Sequence, residues 1–102
     1  MKNILLVCSA GMSTSMLVKK MQDAAIKMDV EVKIKAISEA DVSQYIDDAD
    51  IVLLGPQVRF LLNQIKSVAG TKPVEVIDMA SYGTMNGEKV LREALDKIEG
   101  NN

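Results

Sequence analysis

The sequence predicts an α/β fold: a single four-stranded parallel sheet of order 2-1-3-4, with helices on both faces. Three observations carry this. Short apolar runs alternate four times with stretches of helical period along the chain. Two of the runs, Asn3–Val7 and Ile51–Leu54, are almost unbroken in apolar residues, as strands covered on both faces are. The other two look like edges, and right-handed crossovers between parallel strands then leave 2-1-3-4 as the simplest order.

The first strand is Asn3–Val7. The first helix, Ser13 to Met28, sets Leu17, Met21, Ala24, Ala25 and Met28 on one face. The second strand alternates Val30, Val32, Ile34 and Ala36 against Glu31, Lys33 and Lys35, which suits an edge. A short second helix opens at Ser38, with Asp41 three residues on in the manner of a capping box, and carries Val42, Tyr45 and Ile46. The third strand is Ile51–Leu54. Gly55-Pro56 launches the third helix, with Val58, Leu61, Leu62, Ile65 and Val68 inward. The fourth strand, Val74–Ile77, is short and follows Pro73. Asn86 caps the last helix, which buries Val90, Leu91, Ala94, Leu95 and Ile98.

A chain of 102 residues with 48% hydrophobic and 25% charged residues reads as one globular domain, 1–102. A net charge of −2 without a basic cluster argues against nucleic acid as a partner. The absence of histidine removes the usual general base and makes a metal site improbable, and nothing suggests a cofactor. One cysteine excludes an internal disulfide and fits a reducing compartment. The apolar run before it is shorter than the ~7–15 residues of a signal peptide core. A cytoplasmic monomer is therefore expected.

In the order 2-1-3-4 the winding reverses between strands one and three, and ligands bind at such a switch point, beyond the carboxyl ends of the strands. The loops there are Cys8–Ser15 and Gly55–Arg59. Cys8 stands between a strand's end and a helix's start, among unpaired backbone N–H groups and the positive end of a helix dipole, where a thiolate and a phosphate are both favoured. Gly11 opens backbone angles closed to other residues; Ser9, Ala10 and Ser13 let a ligand approach the main chain, and Ser9, Ser13, Thr14 and Ser15 carry hydroxyl donors. The plainer reading of a lone cysteine, a buried and inert thiol, stands beside this one.

Two resemblances meet here. Cysteine, five residues, then a helix is similar to low-molecular-weight tyrosine phosphatases, whose topology the expected fold shares. Their signature places arginine where this chain has Thr14, and the Asp-Pro acid they use has no counterpart, since the prolines follow Gly55 and Lys72. Without guanidinium and acid, hydrolysis loses its main aids.

The second resemblance is more specific. The string Cys8-Ser9-Ala10-Gly11-Met12-Ser13-Thr14-Ser15 within Ile4–Val18, together with Val52–Val58 and Lys72–Asp78, resembles enzyme IIB of the bacterial phosphoenolpyruvate-dependent sugar phosphotransferase system, lactose/cellobiose/chitobiose type. The resemblance implies a phosphocysteine at Cys8, charged by phosphorylated enzyme IIA. On the same resemblance, the phosphoryl group is expected to be held by Ser9, Ala10, Gly11, Met12, Ser13 and Thr14 and to pass to a disaccharide on the membrane permease IIC. Gln57 and Arg59, in the second switch-point loop, and Tyr82, beyond strand four, are candidates for the rim that meets partners. Met12 is a second candidate for that surface, while Asp78, at the end of strand four, is expected to cap a helix.

Overall fold

The computed structural model describes residues 1–8 and 12–100. Ser9, Ala10 and Gly11, the side chains of Met12, Ser13 and Thr14, and Asn101 and Asn102 lie outside the described residues. Strands β1 (Lys2–Cys8), β2 (Val32–Ser38), β3 (Ile51–Leu54) and β4 (Val74–Val76) form one sheet in the order β2-β1-β3-β4, and every pair is parallel. This is the predicted order. Helix α1 (Met12–Met28) follows β1, and a short α2 (Val42–Tyr45) lies between two 3-10 turns. Helices α3 (Leu62–Ala69), α4 (Met79–Gly83) and α5 (Gly87–Ile98) complete the chain.

The alternation of side chains along the strands divides the core in two. Ile4, Leu6, Ile34, Ile51 and Leu53 face α1 and α5, where Leu17, Met21 and Leu91 are buried. Leu5, Val7, Val52, Leu54 and Val74 face the other side and meet Val42, Ile46, Val58, Ile65 and Ala69. Burying a side chain of this kind contributes roughly 2 kcal/mol. The chain moves one way across the sheet from β1 to β2 and the opposite way afterwards. Right-handed crossovers therefore put α1 on one face and α2 and α3 on the other.

Four local expectations are corrected. Strand β2 begins at Val32 rather than Val30, because Val30 serves the end of α1: its N–H bonds Ala25 O at 3.0 Å, and Asp29 N–H bonds Ile26 O at 3.2 Å. Asp29, at φ 57, is the left-handed residue of this Schellman closure. Ser38 and Asp41 do not form a capping box; their side chains bond each other at 3.3 Å, and a 3-10 turn precedes α2. The chain after Gly55 runs as a kinked 3-10 segment, Pro56–Leu61, before α3 begins. Within α3, Ile65 and Ala69, four residues apart, point inward and Val68 is 56% exposed at the side of that face. Finally, β4 closes at Val76, although Ile77 N–H still bonds Leu54 O at 2.9 Å.

Helix α5 is capped as expected, with the Asn86 side chain accepting from Lys89 N–H. Its first residue, Gly87, lies against the backbone of α1: a Cβ there would come within 2.5 Å of the Lys20 carbonyl carbon and 2.6 Å of Met21 N. Only glycine allows that approach.

Candidate functional site

Cys8 is the last residue of β1, beside Ser38 of β2 in register, and α1 starts at Met12. The thiol thus stands at the carboxyl edge of the sheet, where the first helix begins. It is 4% exposed. The first turn of α1 carries no acidic residue that would oppose an anion at the helix's positive end. Of the expected phosphate-holding residues, Ser9, Ala10 and Gly11 lie outside the described residues. Met12, Ser13 and Thr14 belong by backbone to the start of α1, and their side chains lie outside the description.

The second switch-point loop comes directly against Cys8. Gly55 N–H donates to Val7 O at 2.9 Å, which pins the loop to the end of β1. A Cβ at Gly55 would lie 3.4 Å from Cys8 Cβ, 3.7 Å from Val7 O and 2.9 Å from Gln57 Oε1. The place a side chain at Gly55 would take is therefore bordered by both the cysteine and the Gln57 amide. In the sequence Gly55 reads only as a helix launcher, because close approach between two loops leaves no local signature.

Gln57 and Arg59 of one loop and Tyr82, distant in the chain, share one cleft of about 220 Å³ with Pro56, Met79 and Gly83. Arg59 Nη1 donates to Pro56 O at 3.2 Å, holding the guanidinium along its own segment. Tyr82 is buried and belongs to the α1/α5 core while also lining the cleft.

Helix α4 brings Tyr82 there, and Asp78 caps it. Asp78 Oδ2 accepts from Ser81 N–H at 3.0 Å and Oδ1 from Ser81 Oγ at 2.7 Å. Lys89 Nζ of α5 approaches Oδ1 at 3.7 Å. The hydroxyl bond of Ser81, then its backbone bond, and then the Lys89 charge hold the Asp78 carboxyl below the usual 3.8. The capping role expected of Asp78 is found. The helix it caps, Met79–Gly83, is too short for its apolar residues to show a helical period in the sequence.

Near the starts of the elements that leave this edge, the large apolar side chains of Met16, Phe60 and Met79 stay exposed, at 57%, 75% and 70%. Met85 is half-buried against the α1/α5 core, which agrees with a methionine tucked under its own loop.

Residues 3–93 match the family model described as PTS system, lactose/cellobiose specific IIB subunit. The chain belongs to this family. A IIB component is a phosphotransferase of a sugar-transporting phosphotransferase system, and such components work with IIA and IIC partners. The chain is 43% identical over 97 residues to the oligo-beta-mannoside-specific EIIB component of Bacillus subtilis (strain 168), covering 93% of this chain and 94% of that one. It is 44% identical over 101 residues to the galactose-specific EIIB component of Lactococcus lactis subsp. cremoris (strain MG1363), covering 91% and 93%. Nearly equal identity to components named for different sugars shows that overall similarity does not encode the sugar.

The solution structure of a cellobiose-specific phosphotransferase IIB component from Borrelia burgdorferi superposes with a TM-score of 0.82 at 44% identity, covering 99% of this chain and 94% of that one. A YwlE mutant from Bacillus subtilis, 14% identical, superposes with a TM-score of 0.53, covering 96% and 93%; it shares the fold, that of the low-molecular-weight tyrosine phosphatases. The IIB chain has no helix, among the described residues, long and apolar enough to cross a membrane.

Proposed function

We propose that this IIB component carries phosphate on Cys8 in the cytoplasm, as one domain. The observation that carries the reading is the place of the thiol. It ends a central strand at the topological switch point, three residues before a helix with no acidic first turn, in a IIB chain whose only cysteine it is. The thiolate sulfur attacks the phosphorus of a phosphohistidine on enzyme IIA; an S–P bond forms, the P–N bond breaks, and the imidazole nitrogen keeps the electron pair. In the second transfer a hydroxyl oxygen of a disaccharide bound to IIC attacks the same phosphorus. The P–S bond breaks, the thiolate returns, and the hydroxyl proton leaves to a base on the permease or to water. Cellobiose, chitobiose and related sugars are the substrate class.

Residues Ser9 to Thr14 hold the phosphoryl group through neutral N–H and hydroxyl donors. A neutral cradle stabilises the ester without activating water, which suits a relay and not a hydrolase. Gln57, Arg59 and Tyr82, with exposed Met79 and Phe60 beside them, form the rim that meets IIA and IIC in turn; methionine repacks easily against successive partners.

Incubation with phosphoenolpyruvate and the upstream proteins of the system tests the reading. The expected result is donor-dependent label on Cys8 that Cys8→Ser abolishes. Turnover of an aryl phosphate with no protein donor would identify a cysteine phosphatase instead. Neither label nor turnover would leave an anion-binding module with an inert thiol.

A further inference from the structure

Gly55 has both Cys8 and the Gln57 amide close to the place its side chain would take, which brings Gln57 nearer the cysteine than a rim residue. The loop after β3 is held to β1 by the Gly55–Val7 hydrogen bond, so its distance from the cysteine is fixed by the sheet. Across the bare face of Gly55 the Gln57 amide oxygen and Cys8 Cβ approach the same point, at 2.9 Å and 3.4 Å. Val58, next in the chain, is fully buried and anchors the backbone from which Gln57 projects. Gln57 itself is exposed, so its carboxamide turns without displacing core atoms.

A carboxamide offers a carbonyl acceptor on one side and an NH2 donor on the other, exchanged by a half-turn of its last torsion. A thiol offers a proton, whereas a phosphoryl group on sulfur offers only acceptors. The Gln57 amide lies over Gly55, whose other near neighbour is Cys8; the Arg59 guanidinium is tied back to Pro56 O.

We infer that Gln57 is a phosphoryl-binding residue that completes the Cys8 site from the second loop, with its carbonyl oxygen toward the unmodified cysteine and its NH2 turned inward when the sulfur carries phosphate. The inference rests on the carrier reading above. It also explains why position 55 lacks a side chain. Gly55 has φ −62 and ψ 152, angles open to any residue, so the glycine is needed for the space between Cys8 and Gln57 and not for its backbone.

The test measures the equilibrium of phosphoryl exchange between phosphorylated IIA and Cys8, with the ³¹P signal of the phosphocysteine, in the full chain. Gln57→Leu should lower the exchange constant about tenfold, the scale of one hydrogen bond to a charged group. Gln57→Glu should lower it further, since a carboxylate opposes the phosphoryl dianion, and should shift the ³¹P resonance. Gly55→Ala should reproduce Gln57→Leu, because the new methyl takes the amide's place, while its thermal midpoint does not fall.

An exchange constant for Gln57→Glu within about twofold of wild type overturns the inference, as does a wild-type constant in Gly55→Ala. If wild-type protein takes up no label, the carrier reading fails, and alkylation of Cys8 by iodoacetamide at fixed pH then tests the contact alone. A carboxylate at position 57 should slow alkylation about tenfold by opposing the thiolate; an unchanged rate overturns the inference.

Discussion

Asp78 joins three elements through one carboxylate. Its oxygens accept from the Ser81 N–H and hydroxyl, and Lys89 of α5 lies 3.7 Å away. Because these partners hold the folded carboxyl below 3.8, the stabilisation is present above the unfolded value and is lost as pH falls through the folded one. Asp78→Ala should therefore lower the thermal midpoint at pH 7, and the gap to wild type should close progressively as the pH falls below about 3.8. Thermal melts of both proteins across that range check this. Thr14 is the second telling residue, for what it is not. An arginine there would supply the charge that stabilises a hydrolytic transition state. Thr14→Arg should accordingly shorten the phosphocysteine half-life by roughly tenfold or more, read by chase of labelled protein. An unchanged half-life would remove the neutral-cradle argument.

Among elements, the crossing of α1 and α5 is the most constrained. The start of α5 touches the α1 backbone at Gly87, where an added Cβ meets main-chain atoms that have no rotamer to retreat into. Gly87→Ala should destabilise the fold by about 2 kcal/mol, in the range for overpacked sites, although alanine is the better helix former. Chemical denaturation with an unchanged slope would confirm it. In α3, Ile65 and Ala69, four residues apart, share the inward face, and Val68 falls off its side into solvent. The 3-10 segment Pro56–Leu61 presents Phe60 to solvent, next in sequence to Arg59 of the cleft.

For the molecule as a whole, the sheet order collects loops from positions 8, 55 and 78 at one edge, because β1 and β3 are neighbours whose crossovers run in opposite directions. Phe60 and Met79 are exposed at that edge, far more than burial-driven folding would leave them. The double variant Phe60→Ala, Met79→Ala should raise the half-saturating concentration of phosphorylated IIA about tenfold while changing stability by no more than about 0.5 kcal/mol per residue. Titration of the transfer rate together with a denaturation curve separates the two effects.

By itself the sequence determined the strand order, the two-sided core, the helix caps at Asp78 and Asn86 and the position of Cys8. These follow from local signals: periodicity, capping residues, turn residues and the handedness of crossovers. The Cys8–Ser15 string was enough to suggest the family. What only the tertiary structure decided are contacts between segments distant in the chain. Gly55 laid bare against Cys8, Gly87 against α1, and the shared cleft of Arg59, Met79 and Tyr82 have no local pattern, since each depends on how closely two elements pack. The exposure of Val68 has a related cause: which residue at the side of an apolar stripe meets the sheet depends on how the helix docks, and an apolar residue there reads the same either way.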